Sequence, residues 1–200
     1  MALSNIPKHA DTLVVGSGTA GSIIAGRLAS RTDQKVILLE AGPDYGSFQN
    51  KNWPADLLNG TVIGETDDWG YKSSSPNGQP NHNLERAKVI GGCSSHNGCI
   101  AIWGSHVDYD TWESYGNKGW STQDILPFFN KANKTLRVRD FKRSEITPFH
   151  EACVSSIVKT GIPRTNNIND LYEDNGVDIS PVNSLDGKRF NAAFGYLDPV

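Results

Sequence analysis

The stretch Asp11-Thr-Leu-Val-Val-Gly-Ser-Gly-Thr-Ala-Gly21 decides the fold. Thr12 to Val15 is a short apolar, β-branched run that stops at Gly16, the signature of a strand. Beyond the glycines, Ile23, Ile24 and Leu28 share one helical face before Ser30, so the reading is strand, tight turn, helix. Lys35-Val-Ile-Leu-Leu-Glu40 is a second continuous apolar run, as expected of a strand buried on both faces of a parallel sheet, and Gly42-Pro43 ends it. The chain up to Gly42 therefore predicts one βαβ unit of an α/β fold.

Gly16, Gly18 and Gly21 stand in the dinucleotide-binding spacing, in the context that spacing needs. Gly16 permits the tight turn, Gly18 lets backbone approach a pyrophosphate, and Gly21 allows the helix to pack closely on the strand. Thr19 and Ala20 open the helix, whose first N–H groups face the phosphates. Glu40 ends the second strand about 20 residues later, where its carboxylate can accept hydrogen bonds from a ribose diol, and Ala41 follows it. This is a Rossmann-like arrangement, and the glycines alone do not separate FAD from a nicotinamide cofactor.

Outward from this core, residues 43–84 are rich in Gly, Asn, Asp, Ser and Pro yet carry Trp53, Trp69 and Tyr71, which predicts an extended, ordered excursion or lid rather than a linker. Ala87 to Gly104 is a third apolar stretch interrupted by Gly91-Gly-Cys-Ser-Ser-His-Asn-Gly98, small residues that let backbone approach something closely, in a loop with a short helix. Ser121 with Asp124 caps a helix through about Ala132, with Pro127 as a kink. Thr147-Pro148 opens a clearer helix with Phe149, Cys153, Ile157 and Val158 inward and Gly161 past its end. Asn166 to Val200 is loop-rich. The domain reading is residues 1–135 for the cofactor-binding part and 136–200 for a helix and loops leading into a second domain. A doubly wound sheet needs more strands than the two visible, so the chain reads as the N-terminal part of a larger unit.

Composition excludes several function classes. With 19 Lys+Arg against 22 Asp+Glu the net charge is −3, which argues against capture of nucleic acid or an anionic membrane. No apolar run reaches the roughly 18 residues a membrane helix requires, and strand-like sequence from Asp11 leaves no room for a signal peptide. Cys93, Cys99 and Cys153 are an odd set without metal-ligand spacing, which predicts a reducing, cytoplasmic location, a peroxisomal one being left open. Cys99 reads as a core residue; Arg137, Arg139, Lys142 and Arg143 as a solvated loop; His106 and His150 as surface residues without partners. The tripeptides at Asn59 and Asn133 match a glycosylation pattern that carries no weight without secretion.

The Asp11–Ser22 segment with Leu39-Glu-Ala-Gly-Pro43, and then Arg86-Ala-Lys-Val-Ile-Gly-Gly-Cys-Ser-Ser-His-Asn-Gly-Cys-Ile-Ala-Ile-Trp103, resembles the N-terminal part of a glucose-methanol-choline (GMC) oxidoreductase. In the second block the likeness is greatest to choline oxidase. Asp68-Trp69-x-Tyr71, Gly119-Trp120 and Asp186-Gly-x-Arg189 to Tyr196-Leu197 also follow the family's order. The resemblance implies an FAD whose ADP half lies on Gly16 to Gly21, Glu40 and Ala41. Its flavin would lie against Gly92, Cys93, Ser95, His96, Asn97, Gly98 and Ile100, with Trp69 covering part of the cofactor. His96 matches the histidine joined to the flavin 8α carbon. Gly98 stands where choline oxidase has Ser, and Cys93 where many members have Ser. The implied activity is oxidation of a small primary alcohol by hydride transfer to flavin N5, with oxygen or a quinone as acceptor. The family's catalytic base lies in sequence beyond this chain, so no catalytic residue is assigned, and homo-oligomerisation is left open. The rivals are an FAD-containing lyase or photodecarboxylase of the same family, against which His96 argues, and a non-catalytic dinucleotide-binding subunit.

Overall fold

Two parallel strands need a crossover, and here one helix supplies it. The computed structural model describes residues 7–200 apart from 75, 77–79 and 174. Strand β1 (Thr12–Val15) pairs in parallel with β2 (Val36–Leu39), from Thr12 opposite Val36 to Val15 opposite Leu39, and α1 (Thr19–Arg31) joins them. Asp11 closes the base of the pair by accepting from the Lys35 amide at 2.7 Å.

The face that α1 buries is Ser22, Ala25 and Gly26, not the expected Ile23, Ile24 and Leu28; Ile24 is 52% exposed. The reason is close approach. A Cβ on Gly26 would collide with the backbone of Tyr196 in α6 (Ala192–Tyr196), so only small residues fit at that crossing. The strands are likewise not buried on both faces: Leu13, Val15 and Leu39 are exposed, because one helix layer covers this two-stranded sheet within the chain.

The boundary expected after residue 135 falls within a compact unit. Contacts divide the chain into one unit of residues 1–99 with 185–200 and another of 100–184. In the first unit, Trp53, Leu57, Ala87, Val89, Phe190 and Phe194 form the core, with Tyr45 and Phe48 against it. The first half of the 43–84 excursion thus contributes to the core. Helix α2 (Ala55–Leu58) lies in it, and Trp53 packs edge-on to Phe194 at 4.9 Å while its indole N–H donates to Gly46 O. The second half carries an exposed antiparallel pair, β3 (Tyr71–Lys72) with β4 (Asn83–Leu84).

The second unit holds α3 (His106–Ser114), α4 (Thr122–Thr135) and α5 (Pro148–Val158), with α3 and α4 meeting around Tyr109, Ile125 and Leu171. Ser121 and Thr147 cap α4 and α5, as their spacing predicts, and Pro127 lies within α4. On α5 the inward residue is Val154; Phe149 is 74% exposed and Cys153 is exposed, because this unit packs nothing on that face. The histidines do have partners: His106 Nδ1 lies 3.0 Å from Leu171 O, and His150 Nδ1 lies 2.9 Å from Thr147 Oγ1. Arg139 is a fixed element, paired through both terminal nitrogens with Glu145 and donating to Ser184 O. A last hairpin, β5 (Ser184–Leu185) and β6 (Lys188–Arg189), leads into α6. Among the described residues no helix is long and apolar enough to cross a membrane, and no His, Cys, Asp and Glu cluster suits a metal.

Candidate functional site

The two glycine-rich segments meet. Gly16 takes the left-handed conformation (φ +88°) that turns β1 into α1, and a Cβ on Gly21 would fall well inside contact distance of the Gly16 carbonyl. Gly92 (φ +53°) lies so near the first loop that its Cβ would stand 2.6 Å from Gly18 Cα. The Gly91 amide also donates to Ser17 O at 2.8 Å. By contrast, the Cβ direction at Gly18 is open, with nothing within 4 Å. Gly16, Gly18, Glu40, Ala41, Trp69 and Gly92, with Val15, Leu39, Ala87 and Val89, line one cavity of about 570 Å³. Thr19 and Ala20 begin α1, where amides have no acceptor within the helix.

Glu40 is held by the protein. Its Oε2 accepts from the Ser17 amide and hydroxyl, each at 2.7 Å, and its Oε1 from the Gly42 amide at 2.8 Å. Burial pushes this carboxyl up, but the hydrogen bonds from Gly42 and Ser17 outweigh it and hold the pKa below the ordinary value of 4.5. The group is ionised at neutral pH. Trp69 stacks on Tyr71 with ring centroids 5.8 Å apart, and Lys88 Nζ stands 4.7 Å from the indole centroid.

From Gly92 a 3₁₀ turn, Gly92–Ser95, leads to His96. His96 is 4% exposed, and its Nε2 is the one buried side-chain polar atom among the described residues with no hydrogen-bond partner. An orphaned buried nitrogen is costly unless something meets it. His96 lines a second cavity, of about 540 Å³, with Ile63, Gly64 and residues of β3 and β4. Ser95 has a structural role: its hydroxyl donates to Ile90 O and accepts from Asn191 Nδ2. Asn97 Oδ1 accepts from the Cys99 amide. Cys93 is exposed beside Gly92, and Gly98 has open space around it. Cys99 is buried as expected, and burial pushes its thiol pKa up, opposed in part by the charge of Arg189. Ile100, 64% exposed, opens the second unit.

The expected residues thus fall into one group around the Gly18–Gly92 cavity and another around His96. Sequence reading gave no site role to Ser17, whose amide and hydroxyl fix Glu40, or to Arg189 and Asn191, which hold the His96 loop. A serine between two motif glycines was the available signal for the first. For the others the signal was Asp186-Gly-x-Arg189, which follows the family's order but names no partner by itself.

The chain is similar to known proteins in sequence and fold. The sequence model of the family described as GMC oxidoreductase matches residues 10–200. The chain is 33% identical, over 96% of its length, to a protein of Paraburkholderia phymatum named oxygen-dependent choline dehydrogenase. A protein of the same name from Yersinia pestis is also 33% identical, over 94% of the chain. The chain spans 36% of the length of each. Among solved structures it is similar to pyridoxine 4-oxidase from Mesorbium loti, with TM-score 0.76 and 25% identity, covering 94% of this chain and 39% of that one. A fungal aryl-alcohol oxidase shares the fold at TM-score 0.73 and 21% identity, covering 98% of this chain and 37% of that one.

Proposed function

The chain belongs to the GMC oxidoreductase family, and from that premise we propose that it is the FAD-binding portion of an enzyme that oxidises a small primary alcohol, with oxygen or a quinone as acceptor. The observation that carries the reading is the apposition of Gly18 and Gly92, which leaves a glycine-walled cavity beside an ionised Glu40. The open Cβ direction at Gly18 and the orphaned His96 Nε2 both fit such a cofactor.

In this reading the first amides of α1, at Thr19 and Ala20, bind the pyrophosphate, and Glu40 accepts one ribose hydroxyl on Oε1. FAD, when bound, supplies a two-electron acceptor for the hydride of an alcohol. His96 would be the residue to hold the flavin covalently, through Nε2 at the 8α carbon. Such a link would replace one hydrogen of the methyl group and one of the imidazole, with dioxygen as the two-electron oxidant. Cys93, Asn97 and Gly98 border the same loop. The trimmed hydroxyl at Gly98 makes room for a substrate larger or less polar than a serine would admit.

Titration of the chain with FAD, followed by quenching of flavin fluorescence and competed with NAD, tests the cofactor: FAD binds and NAD does not displace it. A chain that binds NAD and ignores FAD refutes the reading. Denaturation of the loaded full-length protein tests the link, since flavin should stay on the peptide containing His96. Complete release returns His96 to a pocket-lining role and leaves FAD binding intact.

A further inference from the structure

Arg189 is completely buried, and its acceptors are backbone carbonyls rather than a carboxylate. Nε donates to Asn97 O at 3.0 Å; Nη2 donates to the same oxygen and to Val62 O, each at 2.6 Å. Nη1 reaches Leu57 O, and Asp56 O and Ser95 O at 3.2 Å. Asp56 and Leu57 belong to the four-residue helix α2, whose last carbonyls have no partner within the helix. Ser95 and Asn97 are the neighbours of His96 on either side.

His96's own backbone completes the frame. Its N–H donates to Cys93 O at 3.2 Å, and its carbonyl accepts from the Gly64 amide at 3.0 Å. Gly64 has no room for a side chain: a Cβ there would stand 2.9 Å from Cδ2 of the His96 ring. One guanidinium therefore ties the wall in front of the imidazole, through residues 56, 57 and 62, to the peptides on both sides of it. Burying a charge among carbonyls without a counter-ion is expensive. The use that justifies it here is five donors diverging from one plane, which neither lysine nor an apolar side chain provides.

The geometry points to Arg189 as the positioning residue that fixes the direction of His96 Nε2. The inference rests on the reading of His96 as the flavin-facing residue for its purpose, but its test needs no flavin. In the 200-residue chain, Arg189→Lys and Arg189→Gln are compared with wild type for the rate at which diethyl pyrocarbonate modifies His96. The modification is mapped by mass spectrometry, with exposed His150 as internal control. In a variant that keeps the wild-type circular dichroism, local opening of the loop should raise the His96 rate about tenfold and leave His150 unchanged. Lysine should behave as glutamine, because it restores the charge and not the fork. A merely structural arginine would lower the melting temperature without moving the His96 rate in the folded protein. A folded variant with a wild-type His96 rate overturns the inference.

If neither variant folds, hydrogen exchange in wild type decides. His96 C2–H and Arg189 Nε–H should exchange through one shared opening at every sub-denaturing urea concentration, and separate openings refute the link. The two readings fail separately: flavin released from denatured wild-type protein removes the covalent bond, whereas the protection of His96 by Arg189 is read without flavin.

Discussion

Replacing Gly18 and Gly21 by valine separates binding from packing, although the two positions are three residues apart in one motif. Gly18 sits at the N-cap of α1 with φ −61° and ψ −175°, an extended conformation that valine adopts readily, and its Cβ direction meets nothing within 4 Å. The folded chain therefore loses only the preference for glycine over a β-branched residue at an N-cap, about 1 kcal/mol or less. The new methyl groups enter the cavity of about 570 Å³ where the pyrophosphate is proposed to lie. FAD affinity should fall at least about tenfold, or 1.4 kcal/mol. At Gly21 the added Cβ runs into the Gly16 carbonyl, so α1 must move off β1. Overpacking of this kind costs about 1–3 kcal/mol, offset by no more than about 0.5 because valine is a better helix former than glycine. Urea unfolding followed by circular dichroism reads the stabilities, and quenching of flavin fluorescence reads the affinities. A folded Gly18→Val chain with wild-type FAD affinity, or a Gly21→Val chain as stable as wild type, refutes the reasoning.

Asp56 accepts from the Glu65 and Thr66 amides and the Thr66 hydroxyl; burial pushes its carboxyl up, but these bonds prevail and bring it down to about 2. Its stabilising contribution is complete above the unfolded value of 3.8 and disappears as pH falls through about 2. Asp56→Asn should thus be less stable at pH 7, by about 1–2 kcal/mol, with the difference from wild type closing between pH 4 and 2 in acid-unfolding curves. Glu40→Gln places an amide N–H against the Ser17 or Gly42 donors, and should cost about 1–3 kcal/mol as well as FAD affinity; an unchanged melting temperature and unchanged FAD titration would contradict the role assigned to it. Of the three thiols, Cys93 and Cys153 should react with Ellman's reagent in the folded chain and Cys99 only after unfolding, with FAD slowing Cys93. Rapid reaction of all three in native conditions would show that Cys99 is not buried.

What sequence reveals here is what short-range periodicity encodes. The β1–α1–β2 unit, the caps at Ser121 and Thr147, the 3₁₀ turn at Gly92 and the buried Cys99 were all legible, because each depends on residues a few positions apart. The inward faces of α1 and α5 were not. Ile23, Ile24 and Leu28 form the more apolar stripe of α1, yet closeness to Tyr196 selects Ser22, Ala25 and Gly26. Closeness of backbone is written in small residues, and a hydrophobic pattern weights those residues least. On α5, Phe149 looked inward by the same pattern and is 74% exposed.

The same limit governs the site. Glycines at 16, 18, 21 and 92 announce a cofactor because each supplies room, and room can be inferred from the residue alone. The parts that give the room a direction come from the far end of the chain: Arg189 holds Ser95 and Asn97, Asn191 holds the Ser95 hydroxyl, and the Ser94 hydroxyl accepts from the first amide of α6. Phe190 and Phe194 anchor that segment in the same core as Trp53 and Val89. The segment that aims His96 is thus folded by the hydrophobic cluster beneath the cofactor loop, so aim and stability share residues. Closing a loop of that length costs only slowly growing entropy, about 0.6 kcal/mol per doubling. Two buried phenylalanines repay it, since burial of each such side chain contributes about 1.5–3 kcal/mol. A distant arginine can therefore be a fixed part of the site, although the sequence marks it only through the family order of Asp186-Gly-x-Arg189.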